Sequence, residues 1–453
     1  MTMESVARAG TVRVARASRG DALGVWARVS IAGIGGPALQ ISTMHRLLVQ
    51  GKRWISEERF FHAFSYCIAL PGPEMQQLAI YVGWLAHRML GGVAAGGLFI
   101  LPGVICMMAL SFGYVTGGTS SIGQAIFLGI KPAILAIMAA AILRFGRHVL
   151  HSKWMVALAA AAFAAAFFKI AFPIIVAAAA LVGMCVASSG LSGLARPVTA
   201  ASAHGELPDH TRPSLGKFVR SLALWLALWL APPLALMAIF GMENIYTQIS
   251  FVFGKVALMA IGGDYAVVAF AAQQVVDTYH WVSAREMQEA VAMGEMVPGT
   301  IIIVTQFLGF IAAYRDADVL PPLLAGALGG LLATWMTFCP CFLWILVIAP
   351  FIEGLRNNGF LNSTLQAVTA AAVGMIINLS VWFGIRTLFH DVAPVQLGLL
   401  EFDVPVFSSF DLWAFALFIG AAIAVLRFKV GTVTTLAVSS VVGITLSWFN
   451  LTG

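Results

Sequence analysis

Long apolar stretches, separated by short polar or Gly/Pro-rich breaks, fill most of the chain. They predict thirteen helical elements, near 22–50, 60–89, 90–115, 121–143, 152–168, 170–188, 217–241, 248–276, 286–313, 321–350, 362–386, 409–426 and 429–449. The runs are continuous and suit membrane helices of about 20 residues, whereas a membrane β-barrel would show short segments of alternating hydrophobicity. The pattern therefore predicts an all-α integral membrane protein that crosses the bilayer many times.

The composition excludes a water-soluble fold. Of 453 residues, 60% are hydrophobic and 10% are charged, with a mean hydropathy of +0.91, while soluble domains carry about 25% charged residues. The net charge of +6 is expected to mark cytoplasmic loops and not a nucleic-acid surface. The five cysteines lie in apolar segments, and Cys339-Pro340-Cys341 is too tightly spaced for zinc, so we expect neither a metal nor another cofactor.

No segment offers a soluble catalytic domain. The longest polar stretches are 1–21, about 190–217 and about 390–408, and the phosphate-binding pattern of ATPases is absent from the sequence. A membrane-embedded enzyme acting on lipid phosphate would need a carboxylate cluster or a metal motif, and the sequence shows neither. We therefore expect a transporter and not an enzyme, with an anion channel as the alternative that the sequence leaves open.

The chain repeats itself at an offset of 227 residues. This offset aligns a Gly-Gly break, a Trp-x-Ser loop and a Pro-Gly break in one register: Gly35-Gly36 with Gly262-Gly263, Trp54 with Trp281, Ser56 with Ser283, and Pro71-Gly72 with Pro298-Gly299. The organisation that follows is a basic cytoplasmic arm at 1–21, a first repeat at 22–189, a cytoplasmic loop and linking helix at 190–247, and a second repeat at 248–450.

Charge placement predicts that the two repeats face opposite sides of the membrane. The loop at 144–153 is basic, whereas its counterpart at 387–408 carries several carboxylates. Because basic loops stay in the cytoplasm, we expect inverted repeats, as in many secondary transporters. If the four elements broken by Gly-Gly or Pro-Gly are re-entrant hairpins, the chain crosses nine times, from a cytoplasmic N-terminus to an external C-terminus. The alternative is that these elements cross as discontinuous helices.

The two Pro-Gly breaks are the first candidate site. Proline ends one helix and starts the next, so the residues after each break would form the positive N-terminus of a half-helix. Two such ends meeting at the repeat interface would bind an anion through backbone N–H groups. The alternatives are a filled proline kink and, at the Gly-Gly breaks, close helix packing. The candidate substrate-binding residues are Gly35, Gly36, Gly72, Pro73, Gln76, Gln77, Lys131, Gly262, Gly263, Gly299 and Thr300.

Two ionisable residues in apolar surroundings belong to this hypothesis. Lys131 lies about ten residues into its element, too deep to reach the interface easily, and is predicted to attract the anion. Glu74 follows the first break and is the candidate for proton coupling, because a buried carboxyl can hold and release a proton. The alternative role of Glu74 is a helix-start carboxylate that faces water or an arginine.

Several motifs together resemble the chromate ion transporter family. They are Gly35-Gly36-Pro37, Trp54-Ile55-Ser56-Glu57-Glu58, Leu70-Pro71-Gly72-Pro73-Glu74 followed by Gln76-Gln77, and Gly129-Ile130-Lys131-Pro132. The resemblance covers 22–450 and implies two fused homologous halves, efflux of chromate across the cytoplasmic membrane, and chromate resistance.

The same resemblance implies which partners to expect. They are the chromate or sulfate oxyanion and the lipid bilayer, with no nucleic acid, and a homodimer is an assembly that the sequence leaves open. The second repeat departs from the family pattern, because Thr300 and Asp264 stand where the first repeat has proline. Sulfate or another oxyanion therefore stays open as an alternative substrate.

Overall fold

A computed structural model describes residues 19–31, 37–117, 121–188, 214–259, 264–318, 320–349, 359–397 and 400–449. Within these ranges the chain forms sixteen α-helices and one β-hairpin. The first half contains α1 (Arg19–Ile31), α2 (Pro37–Met44), α3 (Glu57–Ala69), α4 (Glu74–Gly117), α5 (Ser121–Val149), α6 (Lys153–Phe167) and α7 (Phe172–Ser188). The second half follows the linking helix α8 (Leu215–Phe240) and contains α9 (Ile245–Leu258), α10 (Asp264–Ala272), α11 (Ala284–Met296), α12 (Val304–Arg315), α13 (Pro322–Ile348), α14 (Gly359–Leu388), α15 (Leu412–Leu426) and α16 (Thr432–Trp448).

Five of these helices are long and apolar enough to cross a membrane: α4, α5, α8, α13 and α14. Four more of the predicted crossings, α6, α7, α15 and α16, are apolar helices of 15–17 residues. Helix α4 is interrupted at His87 and Arg88, whose φ and ψ angles are not helical, and thus divides into α4a (74–86) and α4b (89–117). The apolar pattern of the sequence predicts an element boundary at the same point, between 60–89 and 90–115.

The sequence repeat is visible in the backbone. At the same offset of 227 residues, Arg53 and His280 both have a positive φ, of 53° and 54°. A π-helical turn precedes each of them, over His45–Gly51 and Gln273–Thr278. Ser56 and Ser283 each cap the next helix with their side chains. Such matched departures from regular geometry show that the two halves are copies of one structural unit.

The two repeats are held together by helices that pack on helices of the other repeat. Helix α5 of the first repeat packs on α15 and α16 of the second repeat. Helix α14 of the second repeat packs on α6 and α7 of the first repeat. Glycines make both contacts close. A Cβ built on Gly129 would lie 1.8 Å from the Ser439 carbonyl oxygen, and one on Gly374 would lie 2.1 Å from that of Ala159. Small residues let membrane helices approach this closely.

Equivalent helices of the two repeats run antiparallel where they meet. Residue numbers rise along one helix of each pair and fall along the other. The contacts that show this are Gly92 with Leu346 and Gly96 with Phe342 for α4b and α13, and Leu135 with Gly384 and Gly146 with Val373 for α5 and α14.

The β-hairpin was not predicted from the sequence, where 390–408 reads only as a polar stretch. Strands β1 (Val392–Leu397) and β2 (Leu400–Pro405) pair antiparallel after α14. The hairpin is held by an Arg386–Asp403 ion pair of 2.5 Å and by Phe402, whose ring lies 5.8 Å from those of Phe167 and Phe168. The turn between α6 and α7 therefore lies at the same end of the molecule as the hairpin.

Candidate functional site

The first break lies between α3 and α4a. Helix α3 ends at Ala69, and Gly72 then adopts a φ of 115°, which favours glycine because a Cβ is strained there. Pro73 follows, and α4a begins at Glu74. A Cβ built on Gly72 would lie 2.6 Å from the Cys341 Sγ atom and 2.8 Å from Gln77 Nε2. The break is therefore covered by α13 of the other repeat.

The second break has the same form. Gly299 adopts a φ of 113°, and Thr300 then caps a short 3₁₀ turn by accepting a hydrogen bond of 3.2 Å from the Ile302 N–H. A Cβ on Gly103 of α4b would lie 2.6 Å from the Pro298 carbonyl oxygen. Each break thus packs against a proline-containing helix of the opposite repeat, α13 with Pro340 and α4b with Pro102.

Hydrogen bonds connect the starts of the half-helices. The Thr300 hydroxyl donates to Asp264 Oδ2 at 2.6 Å, and Asp264 is the first residue of α10. The carboxyl of Glu74, at the start of α4a, lies near enough to that of Asp264 for the two to interact electrostatically. Gln40 of α2 donates from its amide to the Gly299 carbonyl oxygen. Half-helices from both repeats therefore converge on one site.

Several buried polar atoms in these segments have no hydrogen-bond partner in the described part of the chain. Gln76 and Gln77 are both 0% exposed. Neither the nitrogen nor the oxygen of the Gln76 amide is paired, and Gln77 donates to the Pro71 carbonyl oxygen at 2.5 Å while its own oxygen has no donor. Asp264 Oδ1 also has no donor. Since buried polar atoms are normally satisfied, these positions offer unused capacity to a polar ligand.

A third carboxyl group, that of Glu295, lies beside Glu74 and Asp264. Glu295 of α11 accepts a hydrogen bond from the Tyr265 hydroxyl, and both residues interact electrostatically with Asp264. The site therefore combines the positive ends of half-helices with three carboxyl groups. In the described residues, no group of three or more His, Cys, Asp and Glu side chains is placed to hold a metal ion.

Lys131 lies in a separate network. Its ammonium is 3.4 Å from Glu289 Oε1, which also pairs with Arg285 at 2.9 Å, and Tyr114 donates to the other oxygen of Glu289 at 2.6 Å. Glu289 is 3% exposed. The predicted anion-attracting charge is thus paired with a buried carboxylate, and these contacts link α5 and α4b of one repeat to α11 of the other.

The other sequence-predicted residues fall into two groups. Gly72, Pro73, Glu74, Gln76, Gln77, Gly299 and Thr300 lie at the two breaks or in the half-helix turn that follows. Gly35, Gly36, Gly262 and Gly263 lie outside the described residues.

Asp264, Gln40 and Cys341 lie at the site but are not among the residues predicted from the sequence. For Asp264 a signal was present, because an acidic residue directly after Gly-Gly stands where the first repeat has Pro37. For Gln40 no local pattern distinguishes it from an ordinary helix residue, and Cys341 stands out only as part of Cys339-Pro340-Cys341, whose spacing is too tight for zinc.

The family model described as "Chromate transporter" matches residues 21–184 and 247–444. The chain belongs to the chromate transporter family. Two copies of the family unit are matched, one in each repeat, and the helices described above make the chain a multi-pass membrane protein.

Individual chromate transporter relatives match most of the chain. The chromate transport protein of Pseudomonas aeruginosa is 30% identical over 346 residues, covering 76% of this chain and 75% of the relative. The chromate transport protein of Cupriavidus metallidurans is 27% identical, covering 82% and 84%. A probable chromate transport protein of Synechococcus elongatus is 27% identical, covering 82% and 86%. No solved structure matches the chain.

Proposed function

We propose that this protein is a secondary transporter that exports chromate across the cytoplasmic membrane and thereby confers chromate resistance. The observation that carries the proposal is the convergence of half-helix N-termini from both repeats at Glu74, Asp264 and Thr300. Such N-termini present unpaired N–H groups and a positive dipole end. A tetrahedral oxyanion is suited to this arrangement because it accepts hydrogen bonds from several directions.

The repeat geometry supports alternating access. Equivalent helices run antiparallel in two separate pairs, α4b with α13 and α5 with α14. Inverted repeats related by an axis in the membrane plane have this property, and transporters of that class bind substrate at the repeat interface near the midplane. The repeats at 22–189 and 248–450, joined by the linking helix, would then rock about the site with the N-terminus in the cytoplasm.

The membrane potential suffices to drive export. One elementary charge moving across 100 mV changes in free energy by about 2.3 kcal/mol. A dianion that leaves a cell with a negative interior therefore gains about 4.6 kcal/mol per 100 mV, which corresponds to more than a thousandfold gradient. No ATPase is needed for this, and proton coupling would modify the driving force without replacing it.

Labelled chromate uptake into inverted membrane vesicles tests the proposal. We expect accumulation that depends on an imposed potential, positive inside the vesicle, and that sulfate inhibits weakly. A strong preference for sulfate would be compatible with the proposed transporter architecture but would identify sulfate, and not chromate, as the substrate. Preloaded unlabelled chromate should accelerate entry of the label, as in a carrier, and the lack of this acceleration would indicate a channel. No flux of either anion would overturn the proposed function.

A further inference from the structure

We infer that Ser30 and Trp229 are positioning residues for transport. Each donates a side-chain hydrogen bond to a backbone carbonyl that a membrane proline has freed, and so fixes the bend of the helix that covers one of the two breaks. The inference rests on the proposed function, because the breaks form the proposed oxyanion site. It gives the linking helix α8, which carries Trp229, a role in shaping that site beyond joining the two repeats.

A proline inside a helix leaves one backbone carbonyl without its usual partner. The carbonyl of residue i − 4 normally accepts a hydrogen bond from the N–H of residue i, and proline has no N–H to donate. In α13, Pro340 thereby frees the Met336 carbonyl, and in α4b, Pro102 frees the Leu98 carbonyl. Within a membrane, a freed carbonyl needs a new donor, which a neighbouring helix can supply.

Side chains of neighbouring helices supply both donors. The Trp229 indole N–H of α8 donates to the Met336 carbonyl oxygen at 3.1 Å. The Ser30 hydroxyl of α1 lies 2.6 Å from the Leu98 carbonyl oxygen and 2.8 Å from that of Trp26. Its single hydrogen serves one acceptor at a time, and Trp26 lies inside α1, where the helix provides a backbone donor. The Leu98 carbonyl is therefore the acceptor that needs the hydroxyl.

A second bond of the same kind joins α8 and α13 in the opposite direction. Pro232 of α8 frees the Leu228 carbonyl, and the Trp335 indole N–H of α13 donates to that carbonyl oxygen at 3.1 Å. The acceptor is again the carbonyl four residues before a proline. The linking helix and the helix that covers the first break are thus held together at their two bends.

The residue after each of the two covering prolines contacts the break of the opposite repeat. In α13 this residue is Cys341, whose Sγ atom lies 2.6 Å from a Cβ built on Gly72. In α4b it is Gly103, where a built Cβ would lie 2.6 Å from the Pro298 carbonyl oxygen. A change of bend at either proline therefore shifts the backbone that covers a half-helix start. A helix that has lost the bond takes several bends, and the apparent affinity for the anion falls with the fraction that stays competent to bind.

Transport kinetics of the purified protein in liposomes test the positioning role. Trp229→Phe and Ser30→Ala each remove one donor. At equal amounts of folded protein, both are expected to raise the KM for labelled chromate, or for sulfate if that is the transported anion, about tenfold.

Two matched variants control for the loss of a ring or a hydroxyl. Trp225 lies one turn before Trp229 and is similarly buried, but its indole N–H has no partner among the described residues. The buried Ser111 hydroxyl of α4b donates to the Met107 carbonyl oxygen of its own helix. Trp225→Phe and Ser111→Ala should therefore leave the KM within about twofold of the wild type.

Thermal unfolding tests the hydrogen bonds without using transport. Pro340→Ala restores an N–H for the Met336 carbonyl, so Trp229→Phe should lower the melting temperature less in that background than in the wild type. Pro232→Ala should protect against Trp335→Phe in the same way. The crossed combinations, Trp229→Phe with Pro232→Ala and Trp335→Phe with Pro340→Ala, should show no such protection.

Each possible failure has a distinct result. Lowered melting temperatures with an unchanged KM would reduce the bonds to a structural role and overturn the inference. Ser30→Ala, which loses a single oxygen atom, decides this if Trp229→Phe does not fold. Equal protection in the matched and the crossed combinations would also overturn the inference, because the freed carbonyls would then not be the acceptors. A wild type that transports neither chromate nor sulfate would overturn the proposed function itself.

Discussion

Gly72 and Gly299 adopt nearly the same left-handed backbone conformation, yet their surroundings differ. A Cβ at Gly72 would meet Cys341 Sγ and Gln77 Nε2, whereas at Gly299 it would come only within 3.9 Å of the Phe99 carbonyl oxygen. Replacing either glycine strains the backbone by about 1–3 kcal/mol. Only at Gly72 does a steric clash with another repeat add to the strain.

Gly72→Ala and Gly299→Ala are both expected to reduce chromate uptake and lower the melting temperature. The matched change Cys341→Ala should partly restore Gly72→Ala, because it removes the atom at 2.6 Å, and should not restore Gly299→Ala. Vesicle uptake and thermal unfolding of the purified variants measure this. Equal restoration of both glycine variants would show that the clash is not the cause.

Single and double substitutions can test the stabilising role of the ion pair between Lys131 and Glu289. Removing one partner of a buried pair leaves an uncompensated charge, at a cost of up to about 3–5 kcal/mol. Arg285 and Tyr114 still bond to Glu289, so Lys131→Ala should cost less than Glu289→Ala. The double variant should be less destabilised than the sum of the two, with a coupling of about 0.5–3 kcal/mol. Additive losses of stability would contradict the pairing.

At the scale of elements, packing between repeats depends on glycines at the α5–α16 contact. Gly129→Ala would place a Cβ 1.8 Å from a backbone oxygen of α16. Overpacking of this kind costs about 1–3 kcal/mol. Gly97→Ala is the matched control, since a Cβ there meets nothing within 4 Å, and alanine favours a helix interior by about 0.5–1 kcal/mol. We expect Gly129→Ala to lower the melting temperature and Gly97→Ala to raise it. Equal shifts for the two variants would exclude the close contact at Gly129.

The elements were largely predictable from the sequence, because their causes are local. Apolar runs produce the helices, and Pro71-Gly72 and Pro298-Gly299 end them through backbone geometry alone. The proximity of Glu74 to Asp264 was not predictable, because the two residues are far apart in the chain and no local pattern encodes their approach. The β-hairpin was missed because its two strands are short and lie in a stretch that reads as polar.

For the whole molecule, inverted orientation predicts that the β-hairpin is external and the α5–α6 turn is cytoplasmic. His151 is exposed in the α5–α6 turn, and Ser408 is exposed in the short 3₁₀ turn Phe407–Ser409 that directly follows the hairpin. In intact cells, a membrane-impermeant thiol reagent should label Ser408→Cys and not His151→Cys, with the unchanged protein as the background. Both should react after permeabilisation. Labelling of both in intact cells, or of neither after permeabilisation of folded protein, would contradict this topology.

The exchange of partners between α5 and α14 also affects how the protein is made. A chain emerging from the ribosome completes α5 long before α15 and α16 are made. The face of α5 that carries Gly129 therefore lacks its packing partners until synthesis is nearly finished. The first repeat alone therefore lacks the helices that cover α5 in the complete protein. A prematurely terminated chain would leave that face of α5 uncovered, and the final two helices complete the fold of the half made first.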